Sequence, residues 1–472
     1  MSATPKRPNT GRLAASRPAA NRHVAVIDIG KTNAKLALVD LSTLTEIAVM
    51  TRPNPVLPGP PYPHYDVEGH WAFLLGALAS MQRDHGIDAI SVTTHGASAA
   101  LIDAEGGLAA PVLDYEHDGP DAMTGTYDAL RPGFGATGSP RLPRGLNLGA
   151  QIHWLMARDP GLAARTARIV TYPQYWGFRL TGVAASDVTS LGCHTDLWLP
   201  REGRVSELPA RLGIADKLAP PRRPSEVLGP LRSDVAARTG LAPGTPVHCG
   251  IHDSNASLLP YLQDHAAPFA VVSTGTWVVA MAVGGAPVTL DEGRDTLINV
   301  NGLGAPVPSA RFMGGREYEM LGAPDGATPA GIAGALAREA MLLPAVVPES
   351  GPFPGRRMRW SVPEAGLDPA TRAAAVAFYL ALMTAECLGL AGAAGPVIVE
   401  GPFAANLPYL RMLGAATGRP ILRSASRTGT SAGAALLAAR PGDATARPDL
   451  RPVGDTDDPA LRSYARRWRQ AL

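Results

Sequence analysis

The residues best suited to chemistry lie in one stretch, from Val247 to Val279. Asp253 follows a short apolar run and a glycine, so we expect it at a strand end that opens into a helix. After the apolar run Phe269 to Val272 comes the turn STGTW at residues 273–277, where Gly275 lets a ligand approach the backbone. A carboxylate beside such a turn is suited to phosphoryl transfer, in which an alcohol loses its proton to a base while its oxygen attacks a phosphate. A helix cap and an ordinary hairpin are the structural alternatives.

A second hairpin begins near the start of the chain. Val24 to Ile29 and Ala34 to Val39 are predicted strands, joined by the turn Gly30-Lys31-Thr32-Asn33. Its N–H, ammonium and hydroxyl donors can surround phosphate oxygens. Asp28, at the base of the turn, is placed to hold a hydrated Mg²⁺. The alternative is a plain hairpin with polar turn residues. Two hairpins tipped with Gly and Thr predict two similar halves whose tips face each other across a cleft.

Two other polar segments are candidates for substrate contacts. His95 and Gly96 lie at a break between the predicted strands Ala89 to Thr94 and Ala99 to Ile102, where a ligand can meet the backbone. His95 is equally consistent with a hydrogen-bonded structural histidine. The segment VLDYEHDGP at residues 112–120 crowds three acids and a histidine together without metal-ligand spacing. It either lines a polyol site, which we favour, or forms a charged turn.

The composition excludes several classes of protein. The chain has 472 residues with 43 Lys and Arg against 41 Asp and Glu, a net charge of +2, so no strong field attracts nucleic acid or an acidic membrane. The three cysteines are far apart, which predicts no disulfide framework and indicates a reducing, cytoplasmic environment. No uninterrupted apolar run reaches the roughly 18 residues of a membrane helix.

The predicted organisation has four parts. Residues 1–22 are rich in Ala, Arg, Pro and Ser and contain no acids, which fits an organelle transit peptide or, as we favour, a disordered tail. Residues 23–244 form a predicted N-terminal domain that binds sugar and phosphate, and residues 245–455 a C-terminal nucleotide-binding domain, with the join in the proline-rich stretch 220–243. We expect the charged end, residues 456–472, to fray.

Taken in order, these motifs resemble those of the FGGY family of carbohydrate kinases. DIGKTNAK at residues 28–35 resembles the family's first phosphate motif, HCGIHDSNAS at 248–257 the segment of the catalytic aspartate, and STGTW the second phosphate motif. IVEGPFAANLPYLRMLGAATGRPI resembles the family's adenosine motif. GTSAGAALLA resembles the small-residue helix that follows it. The resemblance implies an α/β fold of two actin/Hsp70-like (ribonuclease H-like) domains around an ATP cleft.

Within the family, several stretches are similar to kinases of deoxyketoses. His252-Asp253-Ser254, STGTW and YWGFRLTG resemble L-rhamnulose kinases, and TTHGASAALID resembles L-fuculose kinases. The resemblance implies a cytoplasmic enzyme that uses ATP and Mg²⁺ to phosphorylate a small ketose or deoxyketose and binds neither nucleic acid nor membrane. A homodimer is compatible with it. A kinase of another polyol and a non-catalytic sugar or nucleotide sensor are the alternatives; a sensor would not need Asp253.

The residue patterns and the resemblance together give the expected site residues. By the resemblance Asp253 would be the general base, and Asp28, at the base of the first turn, is the expected metal ligand. The predicted sugar contacts are His95, Gly96, Gln174, His252, Asp253 and Ser254. The predicted ATP contacts are Gly30, Lys31, Thr32, Asn33, Lys35, Gly275, Thr276, Asn299 and Gly401.

Three departures from the family pattern concern the ligand pockets. Glu400-Gly401, followed by Pro402, stands in place of the usual Gly-Gly of the adenosine motif. Gly414-Ala415 replaces the usual Ala-Asp in the next helix. The family's Trp-x-Asp-x-Arg sugar signature is absent, and Tyr115-Glu-His-Asp118 stands nearby. These departures indicate an altered nucleotide pocket and leave the sugar unidentified.

Overall fold

The structure is a computed structural model that describes residues 22–322, 328–424, 429–441, 443 and 445–472. The predicted tail 1–22 therefore lies outside the described residues, except for Arg22. The strands are β1 (His23–Ile29), β2 (Asn33–Asp40), β3 (Thr45–Pro53), β4 (Val56–Leu57), β5 (His64–Tyr65), β6 (Ala89–Thr94), β7 (Ala99–Ile102), β8 (Arg168–Thr171), β9 (Ser186–Asp187), β10 (Trp198–Leu199), β11 (Arg204–Val205), β12 (Pro221–Arg222), β13 (Val227–Gly229), β14 (Val247–His248), β15 (Ile251–His252), β16 (Phe269–Thr274), β17 (Val278–Val283), β18 (Thr296–Val300), β19 (Pro306–Phe312), β20 (Leu342–Leu343), β21 (Arg359–Trp360), β22 (Val397–Glu400), β23 (Ile421–Ser424) and β24 (Leu450–Pro452).

The α-helices alternate with these strands. They are α1 (Val67–Asp84), α2 (Thr124–Asp128), α3 (Phe134–Thr137), α4 (Leu148–Arg158), α5 (Leu162–Arg165), α6 (Tyr172–Thr181), α7 (Val188–Leu191), α8 (Leu208–Arg211), α9 (Ser233–Thr239), α10 (Asp253–Asp264), α11 (Gly314–Leu321), α12 (Pro329–Ala337), α13 (Pro369–Leu390), α14 (Leu407–Thr417), α15 (Gly429–Leu436) and α16 (Pro459–Gln470).

The first large sheet brings three parallel strands to a common edge. Its order is β13-β14-β6-β1-β2-β3, and β15 also pairs with β6. Thr93 on β6 lies beside Asp28 on β1 and beside Ile251 on β15. The carboxyl ends of these three strands therefore meet, and loops that follow the carboxyl ends of parallel strands are common ligand sites in α/β proteins.

This pairing corrects the predicted boundary between residues 244 and 245. β14 and β15 hydrogen-bond to β6 and so belong to the first sheet. The proline-rich stretch that suggested a join includes β13, which pairs with β14. Strand pairing between segments distant in sequence determines the boundary, and local composition does not report such pairing.

The second large sheet repeats the arrangement of the first. Its order is β18-β19-β17-β16-β22-β23-β24. β16 pairs with β17 as an antiparallel hairpin and with β22 in parallel, just as β1 pairs with β2 and β6. The two hairpins predicted from the sequence are therefore equivalent elements of two sheets with related topology.

Helix α13 forms the centre of the C-terminal core. It has the length and apolar composition of a membrane span, but 83% of its most apolar window is buried inside the protein. Buried residues from Ala374 to Leu388 pack in the same cluster as the inner faces of β16, β17 and β22. Such burial is typical of a core helix, so this helix is weak evidence for a membrane span.

The chain end does not fray as the sequence predicted. Residues Pro459–Gln470 form helix α16, which buries Leu461, Tyr464, Ala465 and Trp468. The Trp468 indole donates to Leu342 O at 2.7 Å, and the Tyr464 hydroxyl donates to Ala340 O at 2.7 Å. The prediction was wrong because these apolar residues, spaced on one helical face, lie among arginines that dominate the composition.

Candidate active site

Asp253 lies where the sequence predicted, at the junction of β15 and α10. Its side chain is 37% exposed, and its Oδ1 lies 3.1 Å from His252 Nε2. The Ser254 backbone N–H donates to the same oxygen at 2.6 Å, while the Ser254 hydroxyl lies 3.3 Å from it. A carboxylate in the first turn of a helix is stabilised by the helix dipole. Asp253 is thus held in one orientation with an open side from which it can accept a proton.

His252 is fixed behind Asp253. Its backbone N–H donates to Thr189 Oγ1 at 2.9 Å, and its Nε2 lies 3.6 Å from Cys193 Sγ. Burial alone would lower the pKa of His252, but Cys193 and Asp253 raise it above the ordinary value. A Cβ on Gly96 would lie 2.8 Å from His252 Nε2, so a glycine is required at that position for this close approach. His252 therefore supports Asp253, and Gly96 makes room for His252.

Asp28 lies at the base of the first hairpin with Lys35. The Lys35 ammonium lies 3.2 Å from Asp28 Oδ2 and 3.1 Å from Glu46 Oε1. Burial raises the pKa of Asp28, Lys35 lowers it, and the charge of Asp253 raises it further. The charge of Asp253 therefore acts unfavourably on ionised Asp28, and a cation near both carboxylates would relieve that repulsion. Mg²⁺ commonly binds one or two carboxylates together with water and phosphate, so these residues fit it.

The tip of the first hairpin is held by hydrogen bonds to its backbone, and two of its residues are exposed. Gly30 N–H donates to Asn33 O at 2.9 Å, and Asn54 supports the turn by donating to Gly30 O at 2.8 Å. Thr32 and Asn33 are exposed, with the Asn33 amide 3.2 Å from Thr32 Oγ1. Because the side chains of Thr32 and Asn33 face solvent, an anion can reach them.

The Lys31 side chain contacts the polar segment 112–120. Its ammonium is paired with Asp114 and lies 3.2 Å from Glu116 Oε2. The same ammonium lies over the rings of Tyr115 and Tyr65, at 4.7 and 5.4 Å from their centroids. This position disagrees with the predicted phosphate contact, because the side chain joins the polar segment 112–120 instead.

His95 completes an aromatic wall beside Lys31. Its ring centroid lies 5.2 Å from those of Tyr65 and Tyr115 and 5.1 Å from that of Tyr172. Nδ1 lies 2.8 Å from Gly96 O, and Nε2 has no hydrogen-bond partner among the described residues. Burial lowers the pKa of His95 to about 4, so the ring is neutral at physiological pH. A neutral imidazole with a free nitrogen can bind a hydroxyl group.

The second hairpin is joined to the adenosine-like segment. Gly275 and Thr276 are exposed at its tip. Thr274 Oγ1 donates to Glu400 O at 2.5 Å and accepts from Phe403 N–H at 3.1 Å. Gly401 has φ 80°, and a Cβ there would collide with Thr274 O. The turn and the start of the adenosine-like segment therefore form one rigid unit.

A cavity of about 800 Å³ opens beside this unit. Its lining includes Ser273, Gly401 and Thr430, with Arg423 and Arg451 at its side. Glu400 also lines it, although the residue is only 6% exposed and its carboxyl accepts from the Tyr261 hydroxyl at 3.0 Å. Small residues, two arginines and a phosphate-type turn make this cavity suitable for a nucleotide.

Two predicted contacts are placed inside the protein. Gln174 is fully buried; its amide donates to Cys249 O at 2.9 Å and its carbonyl accepts from Thr171. Asn299 lies within β18, opposite Val307, and its amide lies 3.2 Å from Ser309 Oγ. Asn299 is 3% exposed. The predictions of a sugar contact for Gln174 and an ATP contact for Asn299 disagree with this burial.

Sequence reasoning missed some residues of the site. Glu46 holds Lys35, and Tyr65 adds to the aromatic wall, yet neither belongs to a recognisable motif. Arg423 and Arg451, on strands β23 and β24, reach the cavity through sheet pairing. No local signal identifies these residues, because each reaches the site through contacts that are distant in sequence.

Comparisons with known proteins agree with this architecture. Residues 142–260 match the family model "FGGY family of carbohydrate kinases, N-terminal domain", and residues 266–447 match "Carbohydrate kinase FGGY, C-terminal domain". The L-fuculokinase of Escherichia coli K12 is 27% identical over 203 residues, which are 41% of this chain and 41% of that protein. The L-fuculokinase of Salmonella typhi is 28% identical over 220 residues, 44% of each chain. The chain thus aligns with less than half the length of these curated relatives.

Solved structures match over nearly the whole chain. A carbohydrate kinase from Novosphingobium aromaticivorans has a TM-score of 0.88 at 37% identity and covers 96% of this chain and 99% of its own. The ligand-bound xylulose kinase from Lactobacillus acidophilus has a TM-score of 0.78 at 14% identity, covering 95% and 97%, and supports the fold alone. The predicted fold of two actin/Hsp70-like domains is confirmed. With this relative and both domain matches, the chain belongs to the FGGY family of carbohydrate kinases.

Proposed function

We propose that this protein is an ATP-dependent kinase of a small ketose or deoxyketose, with Asp253 as general base. The observation that carries the proposal is the position of Asp253. Its partly exposed carboxylate lies at the strand edge shared with Asp28, and its charge also acts on His95 and Tyr115 of the aromatic wall. One carboxylate therefore lies between a polar, aromatic pocket and a site suited to phosphate.

In this mechanism Asp253 accepts the proton of a sugar hydroxyl while the oxygen attacks the terminal phosphorus of ATP. The bond from that phosphorus to the bridging oxygen breaks, and ADP leaves with the electron pair. His252 and the Ser254 N–H hold the carboxylate toward the sugar. Donors for the phosphates come from the exposed residues Thr32 and Asn33 at the first tip and from Gly275 and Thr276 at the second.

Mg²⁺ held near Asp28 and Asp253 would neutralise charge on the phosphates of ATP. The Lys35 ammonium, 3.2 Å from Asp28 Oδ2, favours the ionised form of that carboxyl and so opposes the burial that raises its pKa. Closure of the two domains would exclude water, which limits wasteful hydrolysis of ATP.

The names of the relatives support the choice of acceptor. The curated relatives are L-fuculokinases, and the structural relative at 37% identity is a carbohydrate kinase. The resemblance of residues 93–103 to L-fuculose kinases and of residues 252–254 to L-rhamnulose kinases points to the same acceptor class.

The test is ADP release measured over a panel of ketoses, deoxyketoses, aldoses and polyols. We expect release that depends on one of the sugars, and an Asp253→Asn variant that binds this sugar but has a kcat lower by roughly 10²–10⁴-fold. Asp264→Asn is the matched control, because it makes the same change at the far end of α10. Its kcat should stay within about threefold, the usual range for a residue away from the chemistry.

Two results would contradict the proposal. Sugar and ATP binding without turnover in the wild-type protein would favour a sensor. Normal turnover in Asp253→Asn would remove the assigned base.

A further inference from the structure

Lys31 belongs to the first phosphate-like turn by sequence, but its ammonium pairs with different acids from those that hold Lys35. Lys35 is held on β2 by Asp28 and Glu46. Lys31 instead crosses to the loop that follows β7, where it pairs with Asp114 and Glu116. The two lysines of one motif therefore belong to two separate groups of acidic side chains.

The surroundings of Lys31 have the chemistry of a sugar site. Rings of Tyr65 and Tyr115 lie beside the ammonium and offer faces against which C–H groups of a sugar can pack. The ammonium has three donors, of which the two carboxylates engage two. The remaining donor and the carboxylate lone pairs are suited to adjacent hydroxyl groups.

Two further observations indicate a ligand at this place. His95, 6% exposed, has an Nε2 without a partner among the described residues, and Nδ1 is bonded on the opposite side to Gly96 O. Asp114 is also buried, at 6%, and accepts from the Tyr65 hydroxyl at 3.1 Å. A polar atom left unpaired at this depth is uncommon unless a ligand completes it.

The net charge of the cluster formed by Lys31, Asp114 and Glu116 favours an uncharged ligand. Lys31 contributes one positive charge, and Asp114 and Glu116 contribute two negative charges, so the cluster is negative overall. A second anion here would be repelled, whereas hydroxyl groups would meet donors and acceptors together.

We propose that Lys31, with Asp114 and Glu116, recognises the hydroxyl groups of an uncharged sugar and does not contact the phosphates of ATP. This inference rests on the proposed kinase function. It assigns the acceptor to neutral polyhydroxy compounds and excludes sugar acids and phosphorylated sugars.

The test compares two lysine variants in steady-state kinetics with the best acceptor of the panel. Lys31→Met should raise KM for the sugar at least about tenfold, the loss of one charge-assisted hydrogen bond, and leave KM for ATP within about twofold. Lys35→Met is the matched control and should raise KM for ATP instead. Lys31→Arg, which keeps the charge, should recover part of the sugar affinity.

Glu116→Gln supplies a second measurement in a variant that is expected to fold, since the Glu116 side chain is 53% exposed. Removing one negative charge should raise kcat/KM for a sugar acid relative to that for the neutral sugar. An unchanged ratio would overturn the electrostatic part of the inference.

The outcomes separate the two proposals. ADP release that depends on sugar and Asp253, combined with a raised KM for ATP in Lys31→Met, overturns only the assignment of Lys31. No sugar-dependent ADP release in the wild-type protein overturns the kinase proposal, and the assignment of Lys31 falls with it.

Discussion

Replacing Glu400 with glutamine tests whether the carboxyl in the adenosine-like segment is kept neutral. Glu400 is buried, and this burial raises its pKa from 4.5 to about 7, while hydrogen bonds from Tyr261 and Ser273 lower it. Glutamine has nearly the same shape and can still accept from the Tyr261 hydroxyl. The substitution therefore removes the ionisation and little else.

The pKa shift sets the size of the effect. A rise from 4.5 to about 7 corresponds to at most about 3.5 kcal/mol, at about 1.4 kcal/mol per unit. Because the folded-state pKa of Glu400 lies above the unfolded-state value, its contribution to stability is fully present below pH 4.5 and is lost as the pH rises through about 7. Glu400→Gln should match the wild type in stability at low pH and exceed it above neutrality.

Thermal unfolding at about pH 5 and about pH 8.5 measures this difference. At the higher pH the variant should gain several degrees in Tm, since a domain of this size shifts by roughly 2–4 °C per kcal/mol. Glu105→Gln, at an exposed turn, is the matched control and should give the same Tm difference from wild type at both pH values. A Tm difference for Glu400→Gln that does not change with pH would refute the reasoning.

Three substitutions test other parts of the structure. A Cβ at Gly275 would lie 3.9 Å from its nearest neighbour, so the Gly275→Val variant should fold normally. Calorimetry should show weaker binding of a nonhydrolysable ATP analogue, and unchanged affinity would contradict a phosphate site there. A Cβ at Gly433 would collide with Ala256 O, where α15 packs on α10, so Gly433→Ala should lose about 1–3 kcal/mol in denaturant unfolding. Trp468→Ala should lose about 3–5 kcal/mol in the same assay, whereas the exposed neighbour Arg466→Ala should lose little; equal losses would argue against the docking of α16.

The sequence alone determined those features that depend on local periodicity and turn chemistry. The strands of both hairpins, the long helix ending at Leu390 and the junction at Asp253 follow from short patterns of apolar residues, glycine and polar turn residues. Motif order then identified the family, because four motifs with correct spacing are far more specific than any one of them.

Tertiary structure decided where long side chains point and which strands join which sheet. Lys31 pairs with Asp114, which is 83 positions away, so the turn sequence could not reveal the partner of its ammonium. β14 and β15 join the first sheet through β6, and Gln174 and Asn299 are buried by partners outside their own motifs. Such contacts depend on packing between segments distant in sequence, and local composition carries no record of it.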